Sequence, residues 1–192
     1  MILEGVITSV NSDGGGHVTP MGFRRDEHGV IIAPFVPSTT LDNLARAGTA
    51  AINLTDDVCI IAGCLTGRRE WPLVPTTAIR GWRLTVCLAH LELEVERQDA
   101  DRERPRFHCR VVHEANHAPF RGFNRAQAAV VEAAILVSRL DFIAPEKLAA
   151  EMTYLNIAIA KTAGPRERAA WQWLLAAIAA HPRHALKIES MS

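Results

Sequence analysis

From residue 2 to about residue 115 the hydrophobic positions recur at strand spacing, and beyond that they recur at helix spacing. Ile2, Leu3, Val6, Ile7 and Val10 make a β-rich run that ends at Asn11-Ser12-Asp13-Gly14-Gly15-Gly16, a cluster of residues that tolerate positive φ. This predicts a hairpin. Val18 to Phe23 is the return strand, the polar 24–29 stretch a second turn, and Val30 to Val36 a third strand closed by Pro37. Residues 38–48 carry a whole short helix: capping hydroxyls at Ser38, Thr39 and Thr40, apolar Leu41, Leu44 and Ala45 at helical spacing, and a closing Gly48. Thr49 to Leu54 reads as a strand. Thr55-Asp56-Asp57 can cap a second short helix over the apolar 58–62 run, which is also short enough to suit a strand; we adopt the helix.

From Trp82 onward Trp82, Leu84, Val86 and Leu88 share one parity, and Leu91, Leu93 and Val95 the other, with Glu92, Glu94 and Glu96 turned outward. A parity change inside one strand predicts a β-bulge near Ala89-His90, of the kind that curls a sheet into a barrel. Residues 97–106 form a charged turn before a partner strand, Phe107 to Val112. Three helices follow. Ala126 to Leu140 is the first, Pro145 opens the second with Leu148, Met152, Leu155 and Ile159 on a stripe, and Gly164-Pro165 starts the third with Trp171, Leu174, Leu175 and Ile178. Lys187 to Ser192 is expected to fray.

Composition narrows the function classes. The 192 residues, 48% hydrophobic and 22% charged, suffice for one core with a helical appendage. Lys+Arg and Asp+Glu both number 21, so the basic field that grips a nucleic-acid backbone is missing and no nucleic-acid partner is expected. No apolar stretch reaches the ~18 residues that cross a bilayer, and Met1 to Gly5 lacks the pattern of a signal peptide. The expectation is a cytoplasmic protein with no membrane partner. Cys59, Cys64, Cys87 and Cys109 form no CxxC pair and read as buried free thiols.

Few motifs announce chemistry. Gly14-Gly15-Gly16 lacks the following Lys-Ser/Thr of a P-loop and reads as a hairpin turn. His108, His113 and His117, with Glu114 beside them, have the density of a metal site. On a strand, however, His108 and His113 have opposite parity and point to opposite faces, so no metal ligand is assigned. There is no HExxH or GxSxG signature. What remains is a set of hydroxyls and amides at strand ends: Thr8, Thr19, Ser38, Thr39, Thr40, Asn43, Asn53 and Thr55. Such groups either cap turns and helices or bind a phosphate and the polar edge of a heteroaromatic ring. Arg68-Arg69 and Arg121 read as solvated surface arginines, and recognition of an anionic substrate by them stays open.

The order of Val18-Thr19-Pro20-Met21-Gly22-Phe23, Pro34-Phe35, Thr40-Leu41-Asp42-Asn43-Leu44 and Ala51-Ile52-Asn53-Leu54 resembles flavin-reductase-like split barrels. Asn53 to Asp57, and Phe123-Asn124-Arg125-Ala126 leading into Val130 to Ile135, resemble an uncharacterised archaeal and bacterial family of FMN-binding split barrels with a helical C-terminal extension. The resemblance implies a mainly β chain with added α: a six-stranded antiparallel Greek-key split barrel over 1–124, a helical extension packed on it over 125–183, and a frayed tail over 184–192. It implies a homodimer holding FMN near the subunit interface. Thr19, Pro20, Met21 and Gly22 would line the isoalloxazine, with Thr40 and Asn43 near the ribityl phosphate and Ser38 and Thr39 adjacent. Asn53 and Thr55 would face the same groove, Asn124 and Arg125 would reach it from the helical part, and Thr8 completes the set. The implied function is a flavin-dependent oxidoreductase in which bound FMN passes hydride and NAD(P)H or another small molecule donates it, without a protein acid or base. Two alternatives stand beside it: a flavin-binding or sensory module without turnover, and a metal-binding or interacting protein resting on His108, His113 and His117.

Overall fold

The computed structural model describes residues 1–184. The expected frayed tail, Lys187 to Ser192 included, falls from residue 185 on outside the described residues.

Strand β1 (Ile2–Val10) turns into β2 (Gly16–Asp26) through the glycine cluster, where Asn11 N–H donates to Gly15 O at 2.8 Å and Gly14 takes φ 87°. Strand β3 (Gly29–Ile32) follows a turn at Gly29, φ 133°, where a Cβ would overlap the carbonyl of Cys109. It stops at Ile32, short of the predicted Val36. The next residues bond to a loop instead of a ladder: Arg104 donates to Ala33 O at 2.9 Å and Val36 N–H to Glu103 O at 2.9 Å. Helix α1 (Thr39–Ala47) lies within the predicted bounds, with Ser38 Oγ accepting Leu41 N–H at 3.3 Å and Gly48 closing it in the left-handed region. Strand β4 (Thr49–Leu54) then pairs with the free side of β1, and helix α2 (Val58–Leu65) starts on Asp57, whose carboxylate accepts Cys59 N–H at 3.1 Å.

A two-stranded excursion, β5 (Leu73–Pro75) and β6 (Trp82–Leu84), precedes β7 (Ala89–Asp99) and β8 (Arg106–Asn116). The other six strands close as β1-β2-β3-β8-β7-β4, with the fourth barrel strand beside the first, which is a Greek-key barrel. The predicted continuous strand from Trp82 is broken at 85–88. The register irregularities fall between Glu92 and Leu93 and between Val95 and Arg97, later than the expected Ala89-His90. Ile7, Phe23, Ile32, Ile52, Leu91 and Phe107 fill the barrel, each worth roughly 1.5–3 kcal/mol of burial.

Two compact units result. The first comprises 1–56 and 69–120, the second 57–68 together with the chain from 121. Helix α2 thus belongs with α3 (Arg125–Val137), α4 (Pro145–Thr162) and α5 (Pro165–Ala180). Within that unit Asp57 pairs with Arg166, Cys59 Sγ donates to Arg166 O at 3.1 Å, and Arg68 stacks 4.1 Å over Trp173. All four cysteines are free, with Cys59, Cys87 and Cys109 buried. Among the described residues no helix is long and apolar enough to cross a membrane.

Candidate functional site

The outer face of β1, β4 and β7 is polar and yet closed to solvent. Strand pairing aligns Pro20, Val6, Asn53, His90 and Ala115 in one row across the sheet, and Val18, Thr8, Ala51, Glu92 and His113 in the next. Side chains of paired residues share a face, so these rows form a continuous outer surface. The β5–β6 excursion covers it. Thr8 Oγ1 donates to Trp82 O at 2.5 Å, and Asn53 donates to Val6 O at 3.0 Å and Thr8 Oγ1 at 3.2 Å while its Oδ1 accepts Leu84 N–H at 2.7 Å. Each polar atom that the excursion buries thereby gains a partner, the condition under which such burial is tolerated. Trp82 Nε1 donates to Gly14 O at 2.9 Å, and a Cβ at Gly16 would overlap Leu73, so the glycine turn admits the excursion at close range.

Glu92, expected to point into solvent, is fully buried here. The physical reason is long-range: the outer face of β7 is roofed by a segment some fifteen residues earlier in the chain. Its carboxylate accepts N–H groups of Thr77 at 2.6 Å, Ala78 at 2.6 Å and Ile79 at 3.0 Å, and the ring of His90 at 3.0 Å. Burial alone would push its pKa up. The Thr77 amide, the His90 ring and the Ala78 and Ile79 amides outweigh that and bring it down to about 2. An ionised Glu92 accepts only, so His90 carries its proton on Nε2. That leaves His90 Nδ1 as the acceptor, 2.9 Å from His117 Nε2, and the exposed His117 ends a chain leading from a buried carboxylate to solvent. Partial desolvation, then the charge of Arg83, lowers the pKa of His117. His113 stands over the same place, its ring centroid 5.6 Å from that of His90. His90, Glu92 and His113 carry ligand atoms all within 4.8 Å of one another.

The three histidines singled out from the sequence therefore separate. His108 bonds Asp99 at 2.8 Å and approaches Arg97 at 3.0 Å, whereas His113 and His117 gather around His90. His90 and Glu92 escaped the sequence reading because strand parity alone marks them as one solvated face.

The hydroxyl and amide set divides by element. Thr19, Pro20, Met21 and Gly22 lie half-buried in the middle of β2, and a Cβ on Gly22 would stand 3.1 Å from Ile2. Thr39, Thr40 and Asn43 sit on the first two turns of α1, Thr40 and Asn43 buried, with Asn43 Nδ2 donating at 3.0 Å to both Ser9 Oγ and Asn11 Oδ1. Ser38 serves as the α1 cap. Thr8 and Asn53 are committed to the excursion, and Thr55 follows β4 at half-burial. Asn124 and Arg125 belong to the helical unit, where Asn124 Oδ1 caps α3 by accepting Ala126 N–H at 2.8 Å and its Nδ2 donates to Thr162 O at 3.2 Å.

A family model described as the N-terminal domain of a protein of unknown function, DUF447, matches residues 3–118, and its companion for the rest of that family matches 124–176. The chain belongs to the DUF447 family. A solved DUF447 structure, the FMN-bound protein MM1853 from Methanosarcina mazei, is similar at 16% identity and TM-score 0.79 over 92% of this chain and 94% of that one. The barrel also resembles that of 2-nitrobenzoate 2-nitroreductase NbaA from Pseudomonas fluorescens, at 20% identity and TM-score 0.51 over 59% and 64% of the two chains. The NADH:FAD oxidoreductase SgcE6 of Streptomyces globisporus C-1027 aligns at 14% identity and TM-score 0.52 over 61% and 77%. No curated protein matches the sequence. At these identities the likenesses establish the DUF447 fold as a split barrel with an added helical part.

Proposed function

We propose that this DUF447 protein binds FMN on its barrel as a homodimer and acts as a flavin-dependent oxidoreductase supplied by a reduced nicotinamide or a similar small donor. One observation carries the reading: an FMN-bound member of the same family shares this fold over 92% of the chain. The residues present suit the cofactor. Thr39 and Thr40 open a nine-residue helix whose positive end favours a phosphate, and Thr40 brings a buried hydroxyl to the same turn. Asn43 holds that turn against Ser9 and Asn11. The half-buried Thr19 to Gly22 stretch offers backbone groups and, at Gly22, no side chain to obstruct a flat ring. Val36, exposed in the loop before α1, offers apolar surface for a dimethylbenzene edge, while Arg104 stacks 4.4 Å over the neighbouring Phe35 ring.

When bound, FMN supplies two-electron redox chemistry. The chain's own residues bind the phosphate, orient the ring and set the approach of a second small molecule. Thr8 and Asn53 act at one remove, by fixing the excursion against β1 and β4. The test is direct: freshly purified protein should be yellow, should run as a dimer in light scattering, and should bleach anaerobically with NADH or NADPH. Yellow protein that neither donor reduces would point to the flavin-binding module without turnover, and colourless protein that takes up no added FMN would end the reading.

A further inference from the structure

We propose that His90, His113 and His117 form a three-imidazole site for one divalent transition ion of the zinc and cobalt(II) class, with Glu92 as the group that holds His90 in position. The inference is independent of the flavin reading.

The ligand set follows from which lone pairs are already used. Glu92 receives four donors, from Thr77, Ala78, Ile79 and His90, so its oxygens are occupied and it serves to orient. A carboxylate that fixes the far nitrogen of a histidine is the recurrent outer-shell arrangement of histidine metal sites, because it sets the tautomer and raises the basicity of the other nitrogen. Here that other nitrogen is His90 Nδ1, which faces His117 Nε2 at 2.9 Å.

A tetrahedral ion is within reach of His90 and His113 once the exposed His117 turns toward them. At zinc–nitrogen bonds of ~2.0–2.1 Å, two ligating nitrogens stand about 3.3 Å apart and their ring centroids about 5.2 Å apart. The centroids of His117 and His113 lie 5.0 and 5.6 Å from that of His90, on either side of this value. His90 Nδ1 and His117 Nε2 now face each other across a hydrogen bond, so the exposed His117 ring must turn, as well as draw back by about 0.4 Å, to aim both lone pairs at one ion. His117 would carry its proton on Nδ1 in the ligated form, which its exposed ring allows. The same exposure leaves the fourth position to water. Three imidazoles select zinc, cobalt or nickel over magnesium and calcium, which take oxygen donors. Arg83, whose charge reaches His117, opposes a cation, and the ionised Glu92 offsets it. The ion would tie the end of β8 and the residue beyond it to the start of β7.

Protein stripped with chelator and dialysed should bind one zinc ion per chain in calorimetry, and cobalt(II) should give the visible bands of a site of low coordination number. His117→Ala and His113→Ala should each remove stoichiometric binding, and His108→Ala should leave it unchanged. Circular dichroism of each variant confirms that the fold is retained; His117 is exposed, so its variant is the most secure. Glu92→Gln should weaken zinc by about 10–100-fold. Absence of binding at micromolar zinc, or equal binding by the His117→Ala, His113→Ala and wild-type proteins, would overturn the proposal.

Discussion

Asn53 and Leu84 meet through a single hydrogen bond, Leu84 N–H to Asn53 Oδ1 at 2.7 Å, and this bond joins the barrel wall to the segment that roofs it. The two hydrogens of the Asn53 amide are donated to Val6 O and Thr8 Oγ1, so one side chain ties β1, β4 and β6 together.

Replacing Asn53 with Ala should therefore destabilise the fold by about 2–4 kcal/mol, since buried partners on two neighbouring strands, β1 and β6, lose their bonds. The local signature is specific: amide hydrogen exchange at Leu84 should quicken more than exchange at Ile7 or Ile52, which belong to the barrel interior.

The carboxylate of Glu92 makes stability depend on acid. Its folded-state pKa of about 2 lies below the ordinary value of 4.5, so its ionised form is favoured in the folded chain. That contribution is complete above about pH 4.5 and is lost as the pH falls toward 2. Glu92→Gln should lower the melting temperature clearly at neutral pH, and the gap to wild type should narrow on acidification through that window.

Gly16→Ala places a methyl group into Leu73 and within 3.3 Å of the Trp82 ring. The excursion must shift, at a cost of about 1–3 kcal/mol. Tryptophan fluorescence should report it, because the indole N–H of Trp82 is bonded to Gly14 O two residues away from the substitution.

Thr40→Val tests the phosphate assignment. It removes one hydroxyl at similar volume, and loss of one bond to a charged group should weaken FMN by about 1.5–3 kcal/mol. Titration of apo-protein that finds affinity within twofold of wild type would remove Thr40 from the site. FMN at 100 times its dissociation constant should also add about 2.7 kcal/mol of stability, read as a rise in melting temperature.

Local rules carried much of this structure into the sequence. Ser38 and Gly48 bracket α1 because a hydroxyl cap and a left-handed glycine are chemical requirements of helix ends. The hairpin at Gly14, the strand at 49–54 and the proline-started α4 and α5 are legible for similar reasons. The rest depended on distance. Val30 to Val36 has the composition of one strand, yet Arg104 and Glu103 claim the backbone of its second half. Glu92 alternates like a surface residue, and only the arrival of Thr77, Ala78 and Ile79 from the excursion makes it internal. His117 drew notice for its spacing to His108 and His113, while its actual partner, His90, sits on another strand.

The membership of α2 in the helical unit has a consequence for dissection. The chain departs from the barrel at Asp57 and rejoins it at Arg69, lending Val58, Ile60 and Ala62 to the bundle that α3 and α5 complete. A protein ended near residue 120 would keep every barrel strand and still display a greasy, unsheltered helix in its middle. Conversely, the C-terminal segment expressed alone would lack one of its four walls. The two halves are best regarded as co-dependent folding partners, and attempts to study either by simple truncation should meet aggregation before they meet function.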